Sequence, residues 1–200
     1  AAMAKKGEFW LTVHTRVDLF ARAEVMDSLT VRTWAEACSE RDMRTYRSYT
    51  LSRGETLIAR GKTEWAVLGP DKRIIRFSDY GFSKDYPFRA ESAIPETLQR
   101  FHEKFTEDDL FSRYTVRPTD IDLGRHMNNI AYVRLLLDCF TAQELASGKI
   151  RSVELHFSTS CFEGEELTVY RKLHDDGTCR IGIVKADGKT ASQACVTLEN

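Results

Sequence analysis

The hydrophobic positions of the first third of the chain alternate with polar ones, as expected of β-strands. Five segments are rich in Val, Ile, Thr, Tyr, Phe and Trp and are separated by turn residues. These segments are residues 9–20, 28–36, 45–51, 56–68 and 73–77. Arg53-Gly54 and Gly69-Pro70-Asp71 mark hairpin ends. We therefore predict long antiparallel strands in this part of the chain.

A second pattern begins near Phe111. It predicts a short strand at 114–117, a turn-rich loop at 118–124 and a helix at 128–146 that is apolar on nearly every side and therefore buried. Hairpin signals at Asp175-Asp176-Gly177 and Asp187-Gly188 join the strands that follow. Those strands are predicted at 153–159, 166–173, 178–185 and 190–198. One strand, a buried helix and four antiparallel strands is the hot-dog arrangement, a sheet wrapped around a central helix.

The two halves of the chain also repeat. Leu29-Thr30-Val31 and Leu167-Thr168-Val169 each open a strand, at an offset of 138 positions. At that offset, the counterparts of the first strand and the helix of the second half would fall before residue 1. An uncovered sheet would expose a large apolar face, so we expect about 30 or more upstream residues, with residues 1–6 as the tail of the missing helix.

The predicted fold class is therefore α+β, a tandem hot-dog fold with antiparallel sheets around central helices, in which the first repeat lacks its first strand and helix. We predict an N-terminal repeat at 1–78 and a C-terminal repeat at 107–200. Residues 79–106 contain Pro87 and Pro95, few β-branched residues and a short amphipathic stretch at 97–105. These features favour a linker.

Composition narrows the function classes. The chain has 200 residues, of which 42% are hydrophobic, and 29 basic residues against 30 acidic ones give a net charge of -1. This balance lacks the basic excess typical of nucleic-acid binding. Five widely spaced cysteines without a CxxC pair indicate neither a disulfide framework nor a metal site, and they favour a reducing cytoplasm. Neither a membrane-spanning stretch nor a signal peptide is indicated.

The segment from Arg117 to Tyr132 carries the candidate chemistry. Asp122 lies on the predicted loop, His126 follows four positions later, and Asn128 and Asn129 stand at the start of the predicted helix. Unpaired amides at a helix N-terminus are electropositive and can stabilise an oxyanion. Polar groups placed where an apolar cavity meets water suit acyl chemistry.

The pattern Asp-x-x-x-His-x-Asn-Asn-x-x-Tyr, from Asp122 to Tyr132, resembles the C-terminal motif of the acyl-ACP thioesterases of plants and bacteria. Phe9-Trp10, Leu29 to Trp34 and Thr63 to Val67 resemble the family's N-terminal hot dog, which holds the acyl chain there. The resemblance implies hydrolysis of fatty acyl-acyl carrier protein to free fatty acid. It implies a phosphopantetheine-linked acyl chain on acyl carrier protein as partner, no metal or organic cofactor, and no nucleic acid or membrane. A homodimer stays open.

The family's catalytic Asp and His match Asp122 and His126, whereas its catalytic Asn falls on Gly124. Its Glu-Cys pair reads Ser160-Cys161 here. Two mechanisms remain open: water attack assisted by Asp122 and His126, which we favour, or a Cys161 thiolate activated by His126. Oxyanion stabilisation then falls to backbone amides near 124–126 or to Asn128.

Gly124, Asn128, Asn129 and Ser160 are the candidate substrate contacts. Structural roles compete with functional ones at several of these positions. The two asparagines are equally compatible with helix capping, and Cys161 needs only burial to explain it. Trp10, Trp34 and Trp65 are interpreted as core or cavity wall. The missing Asn and Glu leave two alternatives to an acyl-ACP thioesterase: an acyl-CoA thioesterase, or a degenerate acyl-binding protein without turnover.

Overall fold

The computed structural model describes residues 7–80 and 86–199. The chain divides into two compact units, Ala1–Leu98 and Gln99–Asn200. The boundary falls inside the segment that the sequence suggests as a linker. The helix tail expected at residues 1–6 lies outside the described residues.

The described part of the first unit contains an antiparallel sheet and one helix of four residues. β4 pairs with β1 on one side and with β3 on the other, and β3 pairs with β2. The predicted strand at 73–77 is wrong beyond two residues, because Phe77 starts a helix instead. The elements are β1 (Phe9–Leu19), β2 (Thr30–Ala35), β3 (Thr45–Arg53), β4 (Thr56–Leu68), β5 (Ile74–Ile75) and α1 (Phe77–Tyr80).

The described part of the second unit holds five strands and two α-helices. Its strands pair in the order β7-β10-β9-β8-β6, with every pair antiparallel. Three of the predicted strands are confirmed to the residue. The elements are β6 (Leu110–Thr115), α2 (Asn129–Leu137), α3 (Ala142–Ala146), β7 (Ile150–Phe157), β8 (Glu166–Leu173), β9 (Thr178–Lys185) and β10 (Thr190–Leu198).

The pairing order confirms the internal repeat. In the first unit the order is β1-β4-β3-β2, and in the second unit the successive strands β7 to β10 pair in the same way. Leu29-Thr30-Val31 and Leu167-Thr168-Val169 accordingly enter equivalent strands, β2 and β8. Among the described residues of the first unit, neither β6 nor α2 has a counterpart.

Helix α2 packs its apolar side onto one face of the second sheet. Leu136 has no exposed surface and Ala131, Tyr132 and Leu135 are buried with it against β8, β9 and β10. Burial of each large apolar side chain stabilises the unit by about 1.5–3 kcal/mol. The expectation of burial on all sides is wrong, because the Ile130 side chain is 57% exposed.

The single helix predicted at 128–146 is in fact two helices. Thr141 has an extended backbone and caps α3, because its hydroxyl accepts from the Glu144 N–H at 3.1 Å and the Glu144 carboxylate accepts from the Thr141 N–H. This reciprocal capping box starts a new helix. The capping hydrogen bonds of Thr141 therefore end the first helix, although the apolar pattern continues beyond it.

Residues on both sides of the unit boundary are fastened to the sheet of their own unit. In the first unit, the buried Lys62 ammonium donates to the Ile94 carbonyl at 3.0 Å and pairs with Glu36. In the second unit, Phe105 stacks on Tyr170 and lies directly over Gly182. The amphipathic stretch at 97–105 forms neither a helix nor a strand.

Candidate active site

The loop that precedes α2 is fixed by a buried carboxylate. Asp120 Oδ2 accepts from the Tyr114 hydroxyl at 2.6 Å and from the Arg117 N–H at 2.8 Å. Its backbone carbonyl accepts from the Asn128 N–H at 2.7 Å. Burial and the bond to Asp120 raise the pKa of Tyr114. Sequence reasoning missed Asp120, although its position after Pro118 in a turn was a usable signal.

Residues 121–127 form a tight loop that projects Asp122 and His126. The Asp122 N–H donates to the His126 carbonyl, the Arg125 N–H donates to the Asp122 carbonyl, and Asp122 Oδ1 accepts from the Gly124 N–H at 2.7 Å. Arg125 adopts φ 62°, a left-handed conformation that costs about 1–2 kcal/mol for a residue with a side chain. This turn brings the two predicted catalytic residues to the same end of the loop.

Asp122 and His126 flank Gly124. A Cβ atom at Gly124 would lie 3.0 Å from Asp122 Oδ1 and 3.1 Å from His126 Nδ1. A side chain at position 124 would therefore press on both the acid and the imidazole, and glycine supplies no side-chain donor there. Both flanking residues are exposed.

The asparagines have different surroundings. Asn128 is the N-cap of α2, because its Oδ1 accepts from the Ile130 N–H at 2.9 Å. Of the two roles left open for Asn128, the structure shows capping. Asn129 is exposed at the first position of the helix.

Backbone donors near His126 are only partly available. The Gly124 and Arg125 amides, which the sequence offered for oxyanion stabilisation, are both engaged by Asp122. Within residues 7–80 and 86–199, the N–H groups of His126 and Asn129 have no acceptor. Each of these two amides is free to donate to an oxyanion placed beside it.

Cys161 faces the core rather than the loop surface. Its side chain has no exposed surface, and burial raises the pKa of its thiol, an effect partly offset by a hydrogen bond with Tyr132 and by the Lys185 charge. A buried thiol of raised pKa forms little thiolate, so the geometry gives no support to Cys161 as nucleophile. The Cys161 carbonyl accepts from the Met127 N–H at 2.8 Å.

The segment after β7 brings further groups against His126. The Phe162 ring contacts the His126 ring with a centroid separation of 5.5 Å. Lys185 donates to the Ser160 carbonyl at 3.1 Å and pairs with Glu165 at 2.9 Å. Ser160 itself is exposed and contributes its backbone here. Phe162, Glu165 and Lys185 escaped sequence reasoning because only the tertiary fold brings them to the loop.

The first unit contains a separate pocket of about 260 Å³. Its walls are mostly aromatic, and they include Trp10 and Trp65, in agreement with their interpretation as cavity wall. Trp34 instead donates its indole N–H to the Glu91 carbonyl at 2.9 Å. The remaining aromatic walls are Tyr46, Tyr86 and Phe88, beside the guanidinium-bearing Arg47.

No group of three or more metal-ligating side chains occurs among the described residues. Within that same part of the chain, no helix is long and apolar enough to cross a membrane. All five cysteines are free thiols.

A helix packed on an antiparallel sheet, with an acid and an imidazole on the loop before the helix, defines a hot-dog protein. Residues 103–200 match the acyl-ACP thioesterase C-terminal domain family. The second unit of the chain therefore belongs to this domain family, and relatives and solved structures similar to the whole chain are acyl-ACP thioesterases.

Curated relatives support this assignment at low identity. The chloroplastic oleoyl-acyl carrier protein thioesterase of Coriandrum sativum is 22% identical over 170 residues, which are 80% of this chain and 46% of the relative. A chloroplastic palmitoyl-acyl carrier protein thioesterase of Arabidopsis thaliana is 24% identical over 99% of this chain and 48% of the relative. The chain thus spans less than half the length of these relatives.

Solved structures share the fold. The 12:0-ACP thioesterase from Umbellularia californica matches with a TM-score of 0.83 at 16% identity, over 99% of this chain and 78% of that one. An acyl-ACP thioesterase from Bacteroides thetaiotaomicron matches with a TM-score of 0.79 at 18% identity, over 98% of this chain and 79% of that one. At these identities, the likeness establishes the hot-dog architecture.

Proposed function

We propose that the protein hydrolyses the thioester of fatty acyl-acyl carrier protein and releases a free fatty acid. The observation that carries the proposal is the placement of Asp122 and His126 on either side of Gly124, next to a His126 N–H without an acceptor among the described residues. This arrangement provides a base, an acid and an oxyanion donor within one turn. Family membership and the relatives named above support the same substrate class.

In the proposed reaction, His126 takes a proton from a water molecule that attacks the thioester carbonyl carbon. The carbonyl oxygen becomes an oxyanion, stabilised by the backbone amides of His126 and Asn129. The carbon–sulfur bond then breaks, and His126 returns the proton to the departing thiolate. The negative charge of Asp122 attracts the imidazolium that forms when His126 takes the proton. Water is the nucleophile because the Cys161 thiol is buried and its pKa is raised.

The aromatic pocket of the first unit is our candidate site for the alkyl chain. Its wall is dominated by rings, and a pocket of about 260 Å³ offers the concave apolar surface that such a ligand needs. The carrier protein would deliver the chain on its phosphopantetheine arm. The free thiols support a reducing compartment, and we propose the cytoplasm. Sedimentation analysis would decide whether the protein acts as a homodimer.

One observation favours a second candidate function, acyl binding without turnover. Gly124 supplies no side chain and Ser160 only a hydroxyl where the family has an amide and a carboxylate, and Asp122 Oδ1 already accepts from the Gly124 N–H. Each missing transition-state contact can lower a rate about 100-fold or more. An acyl-CoA thioesterase would use the same groups and would differ in the thiol that it accepts.

The deciding experiment measures free thiol release from acyl-ACP and acyl-CoA substrates of graded chain length. We expect turnover on acyl-ACP that His126→Ala abolishes, while His102→Ala, which alters an exposed histidine of the same unit, leaves it intact. Comparable efficiency on acyl-CoA would favour the CoA enzyme. Saturable acyl binding without thiol release in the wild type would refute hydrolysis and leave a binding protein.

A further inference from the structure

Lys185 is held inside the second unit by three neighbours. Its ammonium pairs with Glu165 at 2.9 Å, donates to the Ser160 carbonyl at 3.1 Å and lies 5.7 Å from the centroid of the Phe162 ring. Its side chain is only 12% exposed. A lysine side chain with so little exposure and so many fixed partners loses most of its rotamer freedom. Lys185 is therefore a structural anchor, in contrast with a solvated surface lysine.

Phe162 connects this anchor to the candidate site. One contact of its ring is with the Lys185 ammonium, and another is with the His126 imidazole at 5.5 Å between centroids. Its backbone N–H donates to Glu165 Oε2 at 3.1 Å, so the same carboxylate holds both Lys185 and Phe162. Backbone hydrogen bonds and the contacts of the Phe162 ring thus fix the position of residues 160–162.

His126 has little else to orient its ring. Gly124 presents no side chain, and among the described residues no hydrogen bond to either imidazole nitrogen occurs. The neighbouring peptide is fixed, because the Met127 N–H donates to the Cys161 carbonyl at 2.8 Å. The ring angle is then set by packing, and Phe162 is the aromatic surface in contact with it.

We propose that Lys185, paired with Glu165, is a positioning residue that fixes Phe162 and through it the His126 imidazole. The inference rests on the proposed thioesterase function for its kinetic consequence, but the orientation of His126 is a property of the resting protein. It assigns a role to a residue outside the Asp122–Tyr132 motif. It also explains how an imidazole without a side-chain partner at position 124 keeps one orientation.

The kinetic test compares Lys185→Met with Lys185→Arg. The methionine keeps most of the aliphatic stem and removes the charge, so Glu165 and the Ser160 carbonyl lose their partner. A misplaced reacting group can cost up to about 100-fold, and we expect kcat to fall about 10-fold or more with KM within about twofold. Arginine can bond both oxygen partners and should restore most of kcat.

Lys189→Met is the matched control. Lys189 lies in the hairpin that follows Lys185 and pairs with Asp187 at 2.8 Å, but its side chain is 68% exposed. It should leave kcat and KM unchanged. Phe162→Leu should reproduce the loss caused by Lys185→Met, and the double variant should lose no more than either single one, because both act through the same contact.

The orientation itself is measured by NMR on the ligand-free protein, from the imidazole ring protons of His126. The Phe162 ring current should displace these signals, and Lys185→Met should move them toward the values in Phe162→Leu, whereas Lys189→Met should not. Unchanged His126 signals in a folded Lys185→Met protein would overturn the proposal, as would a fall in kcat that arginine fails to rescue. If the wild type hydrolyses no thioester, the proposed function fails while the NMR result still decides the positioning role.

Discussion

Replacing Cys161 separates the two mechanisms that the sequence leaves open. Cys161→Ala removes a sulfur atom from a position without exposed surface, which costs about 1 kcal/mol of transfer free energy. The Tyr132 hydroxyl, itself buried, also loses the thiol partner with which it shares a hydrogen bond. The hydroxyl keeps its bond to the Cys161 backbone, so the lost side-chain bond costs about 0.5–1.5 kcal/mol. We expect the free energy of unfolding to fall by about 1.5–2.5 kcal/mol, from the two contributions together.

Cys161→Ser is the matched variant, because its hydroxyl can still accept from Tyr132. It should therefore recover about 1 kcal/mol of the stability lost in the alanine variant. With water as nucleophile, both variants keep kcat within a few-fold of the wild type at a temperature where they are folded. A serine in place of a thiolate nucleophile would instead lower kcat by about 1000-fold or more.

The measurements are chemical denaturation for stability and thiol release from acyl-ACP for kcat. A third readout is alkylation by iodoacetamide followed by mass spectrometry, in which the native Cys161 should react more slowly than a free thiol because its pKa is raised and its sulfur is buried. A folded Cys161→Ser protein without activity, together with rapid alkylation of native Cys161, would refute the water mechanism.

Three further substitutions test the loop and the fold. Gly124→Asn should raise kcat, by about 10-fold or more if the missing amide contributes as oxyanion donors do, and Gly124→Ala should not; equal rates for the two variants would contradict this role. Asp120→Ala should lower the free energy of unfolding by about 1–3 kcal/mol because the part-buried Tyr114 hydroxyl and the Arg117 N–H lose their acceptor, whereas Asp120→Asn, whose Oδ1 can replace it, should lose less in the same denaturation assay. Gly182→Ala should destabilise the second unit by about 1–3 kcal/mol, because a Cβ would lie 2.2 Å from the Phe105 ring; an unchanged melting temperature would show that this ring moves freely.

The strands were predictable because hairpin turns fix their ends. Gly177 and Gly188 adopt φ 78° and 79°, which glycine tolerates best, and the strands on either side of these turns end where the alternation ends. The helix was less predictable. Apolar periodicity continues through residues 138–141, and only the local capping by Thr141 interrupts it. Such competition between side-chain capping and helix continuation is invisible to a count of apolar residues.

The candidate site was predictable where a short segment carries it. Asp122 and His126 lie in one loop, so their spacing along the chain reports their proximity in space. The orientation of Cys161 was not predictable, because a single residue after a strand can face either the core or the loop. Lys185 lies on a different strand from Phe162, and their contact depends on the pairing of the whole sheet.

Contacts made by neighbouring residues explain how the site keeps its shape with glycine at position 124 and serine at position 160. The loop is fixed by the buried Asp120, whose carboxylate accepts from the Tyr114 hydroxyl and the Arg117 N–H. The segment beside it is held by the Glu165–Lys185 pair and by the backbone bond from Met127 to Cys161. None of these contacts uses the side chain of residue 124 or 160. The scaffold can therefore survive the loss of both family side chains, and the consequence of that loss should appear in kcat rather than in stability.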